Sequence, residues 1–377
     1  MKKFDGKGLA LGAAALGILC LLACLPGPSA QGVLEGLKSC AFQVIPALFP
    51  FFVVTGLILE SPLAEWLGLA LCPVTRLGLG IRQRRAATVL LLCWLGGFAV
   101  AASAISRTYR QGMLDRRQAM LLLVGGVGSG PAFVVNTVGL LMLGSAPLGI
   151  CLLGAMLTAN VCTALVFRLV LALRPGNASP SLSGTIEPLP AGEAAGLVGA
   201  IQSAVHSMLV VCGFVVFFRF LCEASAQALS LDAEGFYALC AGLEVTSGCA
   251  AGAALPDRSA MACCAALSVQ SLSVFLQVRA LLCPELPLWP LAAARPLHLG
   301  LSLCFFRLFL HWLPGATDVI STLAPRVICR TRTAPDAALV LFAFCCLVLF
   351  RLERGSRRIR PGARQRNRRD CSDSIRN

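Results

Sequence analysis

Residues 125–139 read GGVGSGPAFVVNTVG, a run apolar enough to lie in a bilayer yet crowded with glycines, a serine and a proline. Glycine reaches backbone angles that other residues avoid, and Pro131, which has no N–H, suits the first turn of a helix. The stretch therefore predicts one helix ending near Gly126 and another starting at Pro131. Between them the amides of Gly128, Ser129 and Gly130 have no intrahelical partner and lie at the positive end of the new helix, a setting that favours an anion. Phe133 and Asn136 follow on its first turns. The same small residues also suit a packing kink that lets two membrane helices approach closely.

Working outward, the 377 residues are 57% hydrophobic and 13% charged, with a mean hydropathy of +0.79. That balance predicts an all-α polytopic membrane protein and leaves no soluble domain of useful size. Crossing helices are expected at 9–25, 38–60, 119–144, 147–171, 197–222, 259–282, 297–313 and 336–351, eight in all. The net charge of +14 sits in short loops and in RLERGSRRIRPGARQRNRRD, residues 351–370. Arginines beside apolar spans follow the positive-inside rule, so the lipid bilayer, not nucleic acid, is the partner they imply. Both termini are then cytoplasmic, and the cell membrane is the expected location. The 19 cysteines include no C-x-x-C pair and are expected to be small buried hydrophobes. The basic, apolar N-terminus is taken as an uncleaved first helix, although LLAC, ending at Cys24, has the look of a lipoprotein cleavage box.

One apolar segment resists a crossing. VLLLCWLGGFAVAASAI, residues 89–105, is preceded by Arg82, Arg84 and Arg85 and followed by Arg107, Arg110, Arg116 and Arg117. A re-entrant hairpin with its tip at Gly96-Gly97 keeps both clusters on one side, whereas an ordinary helix would violate the charge bias. FYALCAGLEVTSGCAAGAAL, residues 236–255, offers a counterpart in the second half, with its glycines in the middle. Each half then reads as helix, hairpin, helix, helix, and three crossings per half invert the second half relative to the first. Two inverted-topology repeats with broken helices are how secondary transporters are built. The expected divisions are an N-terminal helix at 1–30, a first repeat at 31–173, a cytoplasmic linker at 174–196, a second repeat at 197–313, a loop and last helix at 314–351 and a basic tail at 352–377.

Glu244, in GLEVTSG, is the one carboxylate expected well inside the membrane, where an ionisable group is a functional candidate. Thr246 and Ser247 add hydroxyls beside it, and Gln270 and Ser271, in LSVQSLSVFLQV, lie where a second broken helix is expected. Gln270 and Ser271, with Gln277, also fit a role as helix-to-helix hydrogen bonds. His206, His298 and His311 lack metal-ligand spacing, and no nucleophile elbow, phosphate loop or hydrolase carboxylate pair occurs. Neither a metal, a cofactor nor an enzymatic activity is expected.

At IPALFPFFVVTGLI, SGPAFVVNTVG, GLEVTSG and LSVQSLSVFLQV, in that order, the chain resembles the nucleoside-recognition (Gate) membrane proteins, and within them the sporulation proteins of the YlbJ type. The resemblance covers roughly residues 35–350. It departs in the first hairpin, where a Gly-aromatic-Pro-x-Gly-Ala run is replaced by Gly97-Phe98-Ala99-Val100-Ala101-Ala102. What it implies is a membrane transporter of a small organic anion, dipicolinate, across the outer forespore membrane during sporulation. A nucleoside or neutral-solute carrier and a non-transporting assembly factor are the alternatives, and a homo-oligomer is compatible with either. The residues expected at the site are Gly128, Ser129, Gly130, Phe133, Asn136, Glu244, Thr246, Ser247, Gln270 and Ser271.

Overall fold

A chain in lipid must satisfy every backbone N–H and C=O internally, and this sequence does so with helices. The structure, a computed structural model, describes residues 6–173 and 196–312, and every element assigned there is helical. Six helices are long and apolar enough to cross a membrane: Pro26–Glu60, Arg84–Arg110, Ala146–Ala172, Leu197–Ala228, Ser259–Leu281 and Trp289–Trp312. Their surfaces carry the apolar side chains, among them Leu209, Leu173 and Trp312, while Glu244, Arg295, His298 and Gln270 are buried. Large apolar side chains on the surface, over an apolar core that also holds a few polar and charged groups, are the pattern of a chain solvated by lipid.

The six differ from the eight crossings expected: three of the eight are not among them, and Arg84–Arg110, expected as a hairpin, is counted by its length and composition. The first expected crossing is α1, Gly6–Cys24, whose apolar part, Gly8–Cys24, is at the lower limit of a spanning length. The expected 119–144 helix is divided into α4, Arg116–Gly126, and α5, Ala132–Met142. The expected helix at 336–351, the basic tail and nearly all of the linker lie outside the described residues. The helix expected from residue 38 starts at Pro26 and runs to Glu60 as α2, because a proline in the first turn opens a helix. Its early turns carry the small residues Ser29, Gly32 and Gly36, all buried. They allow α2 to press on α7, Leu197–Ala228, where a Cβ at Gly36 would come within 2.8 Å of the Val216 Cα. Gly56, near the other end of α2, meets Ala200, so α2 and α7 run antiparallel.

Next comes α3, Arg84–Arg110, which does not run straight. At Gly97 the backbone takes φ 77° and ψ −176°, and the chain turns back on itself. Arg85, at one end, donates to the sulfur of Met113, just past the other end. Arg85 also pairs with Glu65 and Arg107 with Glu60, so both bases of this helical hairpin meet the turn that ends α2. A straight helix of 27 residues would hold its ends about 40 Å apart. The second half contains a similar fold-back: α8, Ala233–Leu243, and α9, Val245–Ala253, meet at Glu244. A Cβ at Gly248 would come within 2.7 Å of the Ala241 Cα, which sets the two arms side by side. The turn falls at the carboxylate and not at the glycines, of which Gly248 and Gly252 serve the close approach of the arms while Gly242 faces open space.

Two broken helices follow the two fold-backs. The first is α4, the Val127–Gly130 break and α5; the second is α10, Ser259–Val269, a break at Gln270-Ser271, and α11, Leu272–Leu281. α5 is wound as a wide π-helix, a form often found at functional positions. Each broken helix is followed by a long one, α6, Ala146–Ala172, or α12, Trp289–Trp312. The hairpin base of α3 is tied to the end of α11 by Ser106, which donates to the Leu281 carbonyl at 3.1 Å and accepts from the Cys283 N–H at 2.9 Å. Ser106→Ala orphans both groups and is expected to lower stability by about 1–3 kcal/mol. Thermal unfolding of the detergent-solubilised protein checks this.

Candidate functional site

The tip of α3 and the first break touch through backbone. A Cβ at Gly97 would come within 3.1 Å of the Gly130 nitrogen, and one at Gly130 within 2.9 Å of the Leu95 carbonyl. Trp94 holds the approach by donating to the Gly125 carbonyl at 2.9 Å. Among the described residues, the N–H groups of Gly128, Ser129 and Gly130 have no hydrogen-bond acceptor. Gln270, in a left-handed backbone conformation at φ 55°, donates to the Val127 carbonyl at 3.0 Å, so the two breaks meet. Arg295, from α12, donates to the same carbonyl at 3.4 Å.

A central cavity of about 70 Å³ lies beside this junction. Its polar groups come from Gln43, Ser129, Thr137, Glu244, Thr246 and Gln277, and Phe51, Phe98 and Phe133 line the rest with aliphatic neighbours. It has room for about five water-sized spheres. Of the residues expected at the site, Ser129, Gly130, Phe133, Glu244 and Thr246 face this cavity together. Asn136 is exposed on α5, away from it. Ser247, Gln270 and Ser271 are buried and off the lining, as is Gly128, which packs against Asn160.

Glu244 is 2% exposed, and its environment is specific. It caps α9: its carboxylate accepts from the Thr246 N–H at 2.9 Å, the Ser247 N–H at 2.6 Å and the Ser247 hydroxyl at 2.7 Å. Arg219 donates to that hydroxyl at 2.7 Å and pairs with Glu223 at 3.1 Å. Amides at a helix start stabilise a carboxylate through direct hydrogen bonds and the helix dipole. The Thr246 and Ser247 pair is thereby occupied at least partly with the cap.

A second cavity, of about 460 Å³, was not legible in the sequence. Arg107, Arg110, Arg279 and His206 line it, with Ser103, Ser106, Ser203 and Ser207 adding hydroxyls. Arg107 is paired with Glu60, and Arg279 donates to the Leu286 carbonyl. Among the described residues, Arg110 has no carboxylate in ion-pair reach. These side chains come from α3, α7 and α11, far apart in sequence, and their arginines are indistinguishable in the linear chain from topology-setting loop charges. The two cavities lie in succession along α2, α3 and α7: Phe51, Phe98 and Val211 face the central one; Thr55, Ser103 and Ser207 face the basic one. Phe52, Val100 and Met208, members of one apolar cluster, fall among these positions on the three helices, and Phe52 also lines the basic cavity.

Comparison with known proteins returned no matching family model, curated protein or solved structure.

Proposed function

We propose that the protein is a membrane carrier for a small organic anion, built as two inverted repeats. Each repeat would comprise a long helix, a re-entrant hairpin, a broken helix and a further long helix: α2, α3, α4–α5 and α6, then α7, α8–α9, α10–α11 and α12. Antiparallel contact of α2 with α7 supports the inversion. The observation that carries the reading is the meeting of both breaks at the Val127 carbonyl, beside a cavity lined by both halves of the chain. Secondary carriers hold their substrates at such junctions, where broken helices leave backbone groups free.

The anion preference rests on the basic vestibule. Arg110, without an ion-pair partner among the described residues, and Arg279 leave this cavity net basic even with Arg107 paired to Glu60, which favours anions in it. By the charge bias that vestibule faces the cytoplasm. Dipicolinate, two carboxylates on a flat ring, is the substrate proposed for testing, in a cell membrane or the outer forespore membrane. The central cavity is too small for it in this conformation, so an opening of the hairpin tips against each other belongs to the cycle.

The full chain reconstituted into vesicles should move labelled dipicolinate faster than empty vesicles do. Arg110→Gln should raise the apparent KM by roughly tenfold at low salt, with a smaller effect at high salt. Flux no greater than in empty vesicles would rule out the carrier. A second reading, a neutral-solute or nucleoside carrier, draws on the central lining, which has three phenylalanines and no cation. Faster flux of labelled nucleosides than of dipicolinate in the same vesicles would favour it.

A further inference from the structure

The buried charges differ in how they are satisfied. Glu244, the carboxylate singled out by the sequence, accepts three hydrogen bonds within its own helix start. Arg295 is buried almost as deeply, at 5% exposure, yet its Nε and Nη1 have no partner among the described residues, and no carboxylate there lies in ion-pair reach. Its one hydrogen bond, to the Val127 carbonyl, is long at 3.4 Å. An uncompensated buried charge costs several kcal/mol even after relaxation. A guanidinium stays protonated under all ordinary conditions, so it cannot escape that cost by losing its proton.

The surroundings are unsaturated in the same way. The first break, whose Val127 carbonyl takes the Arg295 bond, continues into the unpaired amides of Gly128, Ser129 and Gly130. The Ser129 and Ser271 hydroxyls, both buried, have no partner among the described residues, and neither do two buried acceptors beside them, Gln270 Oε1 and Asn160 Oδ1, which a donor-bearing or hydrated anion would have to satisfy. The charge that is missing from this junction is negative, and the groups without partners include a guanidinium fork, three amides and two hydroxyls. A guanidinium fork fits the two oxygens of a carboxylate and also attracts a monatomic anion.

We infer that Arg295, with the Val127–Gly130 break, forms an anion site that takes a carboxylate or a halide. It rests on the carrier reading only for the source of the anion: a carboxylate of the transported molecule, or an inorganic ion held during the cycle. The site lies between α12 and the two broken helices, so occupancy ties the second repeat to the first.

The test uses the purified full chain in detergent and halide-free buffer. Thermal stability is measured on adding sodium chloride, pyridine-2-carboxylate or dipicolinate, and affinities are taken by equilibrium binding. Wild type should be stabilised by at least one of these. Arg295→Gln should lose that response, with affinity down on the order of a hundredfold, because the charge partner is gone. Arg295→Lys keeps a charge without the fork and should bind about tenfold more weakly. A response to carboxylates alone assigns the site to the substrate group, and a response to chloride assigns it to an inorganic anion. No stabilisation of wild type by any of the three overturns the site. So does equal stabilisation of wild type and Arg295→Lys or Arg295→Gln. Binding without flux in vesicles would remove the carrier reading and leave the site standing. Flux with an unchanged KM in Arg295→Lys, without an anion response in wild type, would do the reverse.

Discussion

Replacing Gly97 by alanine is expected to cost about 2–4 kcal/mol and to leave little monodisperse protein after extraction. Two terms act together. The φ of 77° and ψ of −176° lie in a region that only glycine occupies readily, worth about 1–3 kcal/mol for another residue. The added methyl would also meet the Gly130 nitrogen at 3.1 Å, where backbone on both sides leaves little room to give. Gly300→Ala is the control, because a methyl there meets nothing within 4 Å and a helix prefers alanine. Thermal unfolding and size-exclusion profiles of the two variants should separate widely. Equal profiles would show that the chain does not turn at Gly97.

Removing the Glu244 side chain is the other large effect expected. Glu244→Ala deletes the acceptor for two N–H groups and a hydroxyl, and leaves Arg219 facing an unanchored serine. A loss of about 2–4 kcal/mol follows from the cap together with the orphaned donors. Glu244→Gln keeps the shape and one carbonyl acceptor, so it should fold with a smaller loss. The pair separates structure from transport. If Glu244→Gln moves dipicolinate at the wild-type rate, the carboxylate is a cap only; if it folds and transports poorly, the charge takes part in the cycle.

The extent to which this was written in the sequence differs from element to element. The arginines around residues 84 and 110 forecast that both ends of α3 lie together, because charge bias acts on a whole segment and needs no knowledge of its neighbours. Gly128-Ser129-Gly130-Pro131 announced its break through residues with special backbone properties. The break at Gln270-Ser271 was expected only from the likeness of the two halves: the left-handed backbone of Gln270 is held by neighbours, and a glutamine carries no local sign of it. The start of α2 at Pro26 was obscured because Pro26, Gly27, Pro28 and Gly32 look like a loop, whereas in the fold Gly32 and Gly36 are contact points for α7. Arg295 and the basic vestibule were missed because their meaning lies in what faces them, and that is fixed only by packing of distant helices.

The apolar cluster that includes Phe52, Val100 and Met208 has an electrical consequence. Water is unstable in a narrow hydrocarbon constriction, so a dry gap there interrupts any file of water between the two cavities. On the carrier reading, such a gap would deny protons and metal cations a continuous path, with the basic cavity on one side and the cavity lined by Glu244 on the other. On that same reading a membrane holding many copies keeps its voltage, and Phe52→Ala, which trims a side chain of the gap, should collapse an imposed potential faster than wild type in vesicles loaded with a voltage-sensitive dye.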